Sequence, residues 1–116
     1  MNPVVSRHNP LHHYRWGNLC DGWNLVDKPE LSVKQERIPP DTGEQLHYHA
    51  KARQFFFILK GTASFQIGES SVEVHAGQGL EIDPGSRHRI SNDQRSDLEF
   101  ILCSQPSTAG DRIDLT

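Results

Sequence analysis

The chain has 116 residues, 34% of them hydrophobic and 23% charged, with a formal net charge of −3 and a pI near 6.1. That length is one domain with a core of its own, and the acidic balance speaks against a nucleic-acid partner. No apolar run approaches the ~20 residues of a membrane span, and the opening MNPVVSRHNP lacks the basic-then-apolar build of a signal peptide. Cys20 and Cys103 form neither a CxxC pair nor a disulfide framework. Together these features predict a soluble, cytoplasmic domain with no nucleic-acid or membrane partner.

In chain order, residues 1–22 carry His8, His12, His13, Arg15 and Trp16 and read as an N-terminal arm packed on the domain or on a partner subunit. From 23 to 103, glycine and proline cut the chain into runs of four to eight residues rich in Val, Ile, Phe and Leu, with no helical period. Strands are predicted at 23–27, 31–38, 44–49, 54–60, 62–67, 70–74, 79–82, 88–92 and 97–103. Turn chemistry at Lys60-Gly61, Gly68-Glu69 and Asp83-Pro84-Gly85 separates several of them. Many short strands in one small domain mean an all-β sandwich or barrel. Residues 104–116, SQPSTAGDRIDLT, read as a polar tail with a mobile end.

The seven histidines are not equivalent. His8, His12 and His13 lie in the polar arm, and His75 ends a predicted strand; all four read as solvated side chains. His47 and His49 differ, because residues two apart in an extended segment project from one face, so both imidazoles point one way and Tyr48 the other. Two such imidazoles can share a transition metal. Downstream, Gln54 opens the run QFFFILKG, and His88 follows the Asp-Pro-Gly turn.

With these residues in order, the sequence resembles the cupin superfamily. The stretch DTGEQLHYHAKARQFFFILKG matches its first motif, with HxH at His47 and His49 and the closing glycine at Gly61. GQGLEIDPGSRHRISN matches its second motif at Gly77, Gly85, His88 and Asn92. The resemblance spans roughly residues 31–103. It implies a double-stranded β-helix, a jelly-roll barrel that holds one divalent transition metal (iron, manganese, nickel or zinc) near its mouth. The implied ligands are His47, His49, His88 and, at the fourth position, Gln54. Three positions depart from the family pattern: Asp41 stands for the opening glycine, Asp83 for a proline, and Gln54 for the usual glutamate. The last is chemical. Three neutral imidazoles and a neutral amide leave the centre at +2 instead of +1, which favours an anionic ligand.

Alternation extends the pocket. If Gln54 points inward, so do Phe56 and Ile58, while Phe55, Phe57 and Leu59 point out. A strand apolar on both faces is covered on both, here by the arm or by a second subunit, and a homodimer is expected. In strand 31–38 the set Leu31, Val33, Gln35, Arg37 begins apolar and is expected to face the interior. That orientation would bring Gln35 and Arg37 to the barrel mouth, Arg37 as an anion anchor; the alternative is that Arg37 reaches solvent at the strand end. Phe100 and Leu102 are expected to line the opposite wall. No side chain inside the barrel stands out as a general base.

Two classes of function follow for a small-molecule ligand. One is a metal-dependent enzyme of the isomerase, cyclase or dioxygenase type. The other is a non-catalytic module that binds a sugar or an organic anion. A transcriptional role is disfavoured by the lack of a helix-turn-helix pattern or basic extension in these residues.

Overall fold

The computed structural model describes residues 2–115. Twelve strands and no helix occur among them, so none of the described residues forms a helix long and apolar enough to cross a membrane. The strands are β1 (His12–Trp16), β2 (Cys20–Lys28), β3 (Leu31–Ile38), β4 (Thr42–Gly43), β5 (His47–His49), β6 (Arg53–Lys60), β7 (Thr62–Ile67), β8 (Ser70–His75), β9 (Gly79–Ile82), β10 (His88–Asn92), β11 (Leu98–Gln105) and β12 (Arg112–Asp114). They form two antiparallel sheets. One runs β1-β2-β3-β11-β6-β9; the other runs β12-β5-β10-β7-β8, with β4 paired to β10.

The order follows from period-2 patterning. In β6, Gln54, Phe56 and Ile58 are buried while Phe55, Phe57 and Leu59 are exposed, and in β11 Leu98, Phe100, Leu102 and Ser104 are buried. Their partners from the facing sheet are Ala63, Phe65, Val74 and Ile90. Phe56 meets Phe65 edge-on at 5.1 Å between ring centroids and lies 5.6 Å from Phe100. Each of these rings contributes roughly 1.5–3 kcal/mol by leaving water, which makes this cluster the anchor of the sandwich. Gly61 turns β6 into β7 at φ +84°, and a Cβ there would stand 2.9 Å from the Asp97 carbonyl. A side chain is therefore excluded on both counts.

The expected face of β3 is corrected. The inner face of β3 carries Ser32, Lys34, Glu36 and Ile38, not Leu31, Val33, Gln35 and Arg37. Its register against β11 pairs Ile38 with Leu98, Glu36 with Phe100 and Lys34 with Leu102, and directly opposed residues share a face. Ile38, fully buried, fixes the strand, whereas Leu31 lies at the exposed end. Residues of the N-terminal segment join the same sheet, where β1 and the start of β2 extend it beyond β3. In the C-terminal segment, β12 pairs with β5.

Candidate metal centre

His47 and His49 come from β5 and His88 from the start of β10, where His88 and His47 are opposed residues of the two strands. All three are buried, and one nitrogen from each lies within 4.8 Å of the others. Ring centroids are 4.4 Å apart for His47 and His88, 5.0 Å for His47 and His49, and 6.0 Å for His49 and His88. The turn that delivers His88 is tied to the strand that carries His49, because Gly85 N–H donates to the His49 carbonyl at 2.7 Å. Asn92, at the far end of β10, donates to the carbonyls of Ile38 (2.9 Å) and Ser96 (2.8 Å), a structural role that closes the loop after the strand.

Hydrogen bonds set the chemistry of these rings. His47 Nδ1–H donates to the Gln45 carbonyl at 2.8 Å, and His88 Nδ1–H donates to the Ser86 carbonyl at 2.9 Å. Each bond fixes the tautomer and leaves Nε2 with a free lone pair. Burial lowers the basicity of all three imidazoles, that of His47 to about 3, with its bond to Gln45 opposing. They are therefore neutral at physiological pH and offer lone pairs, not protons. Gln54, buried on β6, donates its amide to Ser104 Oγ at 3.2 Å, which leaves its carbonyl oxygen as a further acceptor. His88 Nε2, His49 Nδ1 and Gln54 Oε1 are all buried without a hydrogen-bond partner among the described residues. Such groups cost roughly 1–3 kcal/mol each when left unmet. Three neutral imidazoles with converging nitrogens, and Gln54 on the wall of the same cavity, fit a divalent transition metal.

The cavity beside these candidate ligands has a volume of about 250 Å³. Its walls include Tyr14, Trp16, Lys34, Glu36, Glu44, His47, His49, Gln54, Phe56, Leu102, Thr108 and Arg112. Of the residues expected to line the pocket, Phe56 and Leu102 do so, while Ile58 and Phe100 lie deeper as fully buried core. Gln35 and Arg37 are elsewhere. Gln35 donates to Glu99 at 3.2 Å, and Arg37 is held by Asp21 at 2.8 Å and Asp97 at 3.2 Å on the outer face of the sheet. The inverted face of β3 is the reason.

That inversion brings in groups the sequence reading lacked. Glu36 accepts a hydrogen bond from the Tyr14 hydroxyl at 2.5 Å, and Gly22 makes room for that ring, since a Cβ there would meet it at 2.0 Å. Glu44 lies 3.9 Å from His47 and 3.6 Å from Arg112. Burial raises Glu36 and pushes Glu44 up to about 8, with Arg112 pulling the latter down. Thus the barrel does hold carboxyl groups able to carry a proton. A charged pattern at −3 from an HxH pair was the available signal for Glu44. For Glu36 and Lys34 the signal was a strand whose polar set faces a cavity.

The shifts predict a stability profile for chelator-treated protein. An imidazole with a depressed folded pKa stabilises the fold above its unfolded pKa of 6.5 and loses that contribution as pH falls toward about 3. Glu44 has the opposite sign: its contribution is complete below 4.5 and is lost as pH rises through about 8. Below 6.5 the two signs oppose each other; above 6.5 the carboxyl contribution alone changes, so melting temperature is expected to fall from pH 6.5 toward pH 8, and Glu44→Gln to flatten that fall. An unchanged alkaline slope in that variant would contradict the assignment.

A family model described as the cupin domain matches residues 34–104, more than half of the chain. The chain belongs to the cupin family. Among relatives of this cupin, an oxalate-binding protein of Thermotoga maritima is 32% identical over 109 residues, covering 84% of this chain and 90% of that one. An uncharacterized HTH-type transcriptional regulator of Bacillus subtilis is 46% identical over 56 residues, 48% of this chain, and this match spans only 19% of the regulator's length. The crystal structure of a predicted oxalate decarboxylase from Thermotoga maritima superimposes with a TM-score of 0.80 at 23% identity, covering 90% of this chain and all of the other. That likeness establishes the double-stranded β-helix fold.

Proposed function

We propose that this cupin binds one divalent transition metal (iron, manganese, nickel or zinc) through His47, His49, His88 and the carbonyl oxygen of Gln54, and there takes a small organic anion of the carboxylate class. The observation that carries the reading is the set of buried, unpartnered acceptors beside a cavity of about 250 Å³. When bound, the metal would supply Lewis acidity toward the oxygens of the anion. The protein's own residues do the rest. Trp16, Phe56 and Leu102 give the cavity apolar walls, and Lys34 and Arg112 bring positive charge to them. Glu36 and Glu44 provide groups that hold or release a proton beside the ligand, and the Tyr14 hydroxyl, kept protonated by burial and by Glu36, donates to Glu36. Those proton carriers favour an enzyme. The likeness to an oxalate-binding protein of Thermotoga maritima favours the second reading, a module that binds without turnover.

Calorimetric titration of oxalate into protein loaded with manganese or zinc tests the reading. Binding is expected in loaded protein and absent after chelation; equal binding in both would overturn it. Product analysis then separates the two classes, because an enzyme consumes the anion only when loaded, while a carrier returns it intact.

Cytoplasmic residence and homodimerisation are also part of this proposal. Cys20 and Cys103 are free thiols, in keeping with a reducing compartment. Phe55, Phe57 and Leu59 are 38–45% exposed on the outer face of β6, beyond the reach of β1 and β2, which lie at the opposite side of that sheet. A contiguous apolar row of this kind supports an interface with a second copy. Sedimentation velocity is expected to give twice the 13.1 kDa chain mass and Phe57→Lys to give monomer; a wild-type monomer at high concentration would refute the dimer.

A further inference from the structure

The segment after β11 is built into the site. Ser107 N–H donates to the Pro29 carbonyl at 2.9 Å, and at the other end Leu115 N–H donates to the Leu46 carbonyl at 2.9 Å while Gln45 donates its amide to the Leu115 carbonyl at 3.0 Å. Between these ties, the Asp111 carboxylate accepts from the backbone N–H groups of Ala50 (3.1 Å), Lys51 (3.1 Å) and Ala52 (2.9 Å), clamping the turn that joins β5 to β6. That turn separates His49 from Gln54. The segment thus holds two of the candidate ligands in their relative positions.

Its register does more. Arg112 is opposed to His49 and Asp114 to His47. Directly opposed residues of an antiparallel pair share a face, so the Arg112 and Asp114 side chains lie on the face that carries the two histidines, while Ile113 falls with Tyr48 on the other. Arg112 and Thr108 accordingly line the cavity. The guanidinium is held by Asp114 at 2.6 Å through Nε and lies 3.6 Å from Glu44 through Nη1. A guanidinium has five N–H donors in a planar fork matched to a carboxylate, so these contacts leave capacity for a further anion. Asp114 is half exposed and can yield.

Resting on the reading of the site as a metal centre for small carboxylates, we propose that residues 107–115 form a wall of the ligand site and that Arg112 binds the second carboxylate of a short dicarboxylate whose first carboxylate faces the histidines. A monocarboxylate needs only the histidine side of the cavity. Arg112 is engaged by Asp114 and Glu44 yet keeps guanidinium donors beyond those two contacts, and with Lys34 on the opposite sheet it puts positive charge where a second carboxylate would lie. Glu36 and Glu44 face the same space, each already engaged by a donor, Glu36 by the Tyr14 hydroxyl and Glu44 by Arg112.

The test titrates oxalate and formate into full-length, manganese-loaded protein by calorimetry, with metal content measured in parallel. Arg112→Gln is expected to keep its metal, to weaken oxalate about ten- to a hundredfold, the loss of a charge-assisted pair, and to leave formate within about twofold. Arg112→Lys should restore part of the oxalate affinity. Asp114→Asn, a change at an exposed position, removes the competing carboxylate and should tighten oxalate a few-fold, which keeps the proposal testable if Arg112→Gln fails to fold. Unchanged oxalate affinity in metal-replete Arg112→Gln, or in Asp114→Asn, would overturn the role of Arg112 while the metal-site reading stands. Wild-type protein that binds neither anion would overturn that reading and this one with it.

Discussion

His49→Ala protein is expected to retain its fold and to lose stoichiometric metal. Even a residue that only orients a ligand costs roughly 10–100-fold in metal affinity when removed, and His49 is placed to be a ligand itself, so the loss should exceed about a hundredfold. The fold should survive because His49 sits at the cavity and not in the apolar cluster, and because its Nδ1 is buried without a partner. Deleting an unmet polar group offsets much of the packing that is lost. Plasma mass spectrometry on the purified variant, with circular dichroism as the control for folding, checks both halves. Full metal content in a folded His49→Ala protein would remove the residue from the centre.

Gln54→Glu is expected to move two affinities in opposite directions. A carboxylate in place of the amide takes the occupied centre from +2 to +1. Two unit charges 4 Å apart interact by about 4 kcal/mol even at an effective dielectric of 20. Part of that is offset by desolvating the new carboxylate, leaving a gain in metal affinity on the order of ten- to a hundredfold. The neighbouring Ser104 hydroxyl, which now accepts from the amide at 3.2 Å, can turn to donate to the carboxylate, so the substitution fits sterically and in hydrogen bonding. The lower charge should weaken oxalate binding to the loaded protein. Competition against a chelator reads the first effect and calorimetry the second. If neither changes, Gln54 lies outside the metal's ligand shell.

Both variants concern residues whose placement was legible in the sequence, and the reason is local. Two residues apart in a strand means one face, so HYH by itself aligns His47 and His49. The buried–exposed alternation of β6 follows from fixing a single residue, Gln54, inward. The Asp-Pro-Gly turn before His88 fixes where β10 begins. Strand β3 was less legible because its two faces are nearly matched in apolarity, with Leu31 and Val33 on one and Ile38 on the other. Only pairing with β11 decides between them, and a one-residue choice moves every side chain across the sheet. Glu36 and Lys34 entered the cavity, and Gln35 and Arg37 left it, on that single decision. The tail was illegible for a different reason. β12 has three residues, all exposed, and is held by backbone pairing and by the Asp111 carboxylate, neither of which leaves a hydrophobic period to detect. Arg112 lies within the stretch that reads as a polar tail, although its register sets it beside His49.

The split of the predicted strand 44–49 has the same character. Glu44 N–H bonds the Ile90 carbonyl, and the Gln45 carbonyl is taken by the His47 ring, so the ladder breaks between β4 and β5. The break aims Glu44 at His47. Local pattern thus located the candidate ligands, while the groups that surround them depend on long-range register.

The measurement that bears most directly on this account is metal content by plasma mass spectrometry on full-length protein, free of histidine tags and chelators, as purified and after reconstitution. About one equivalent of iron, manganese, nickel or zinc per chain is expected. Protein that binds no divalent metal even after reconstitution would contradict it, and would leave His47, His49 and His88 as the polar lining of a binding pocket.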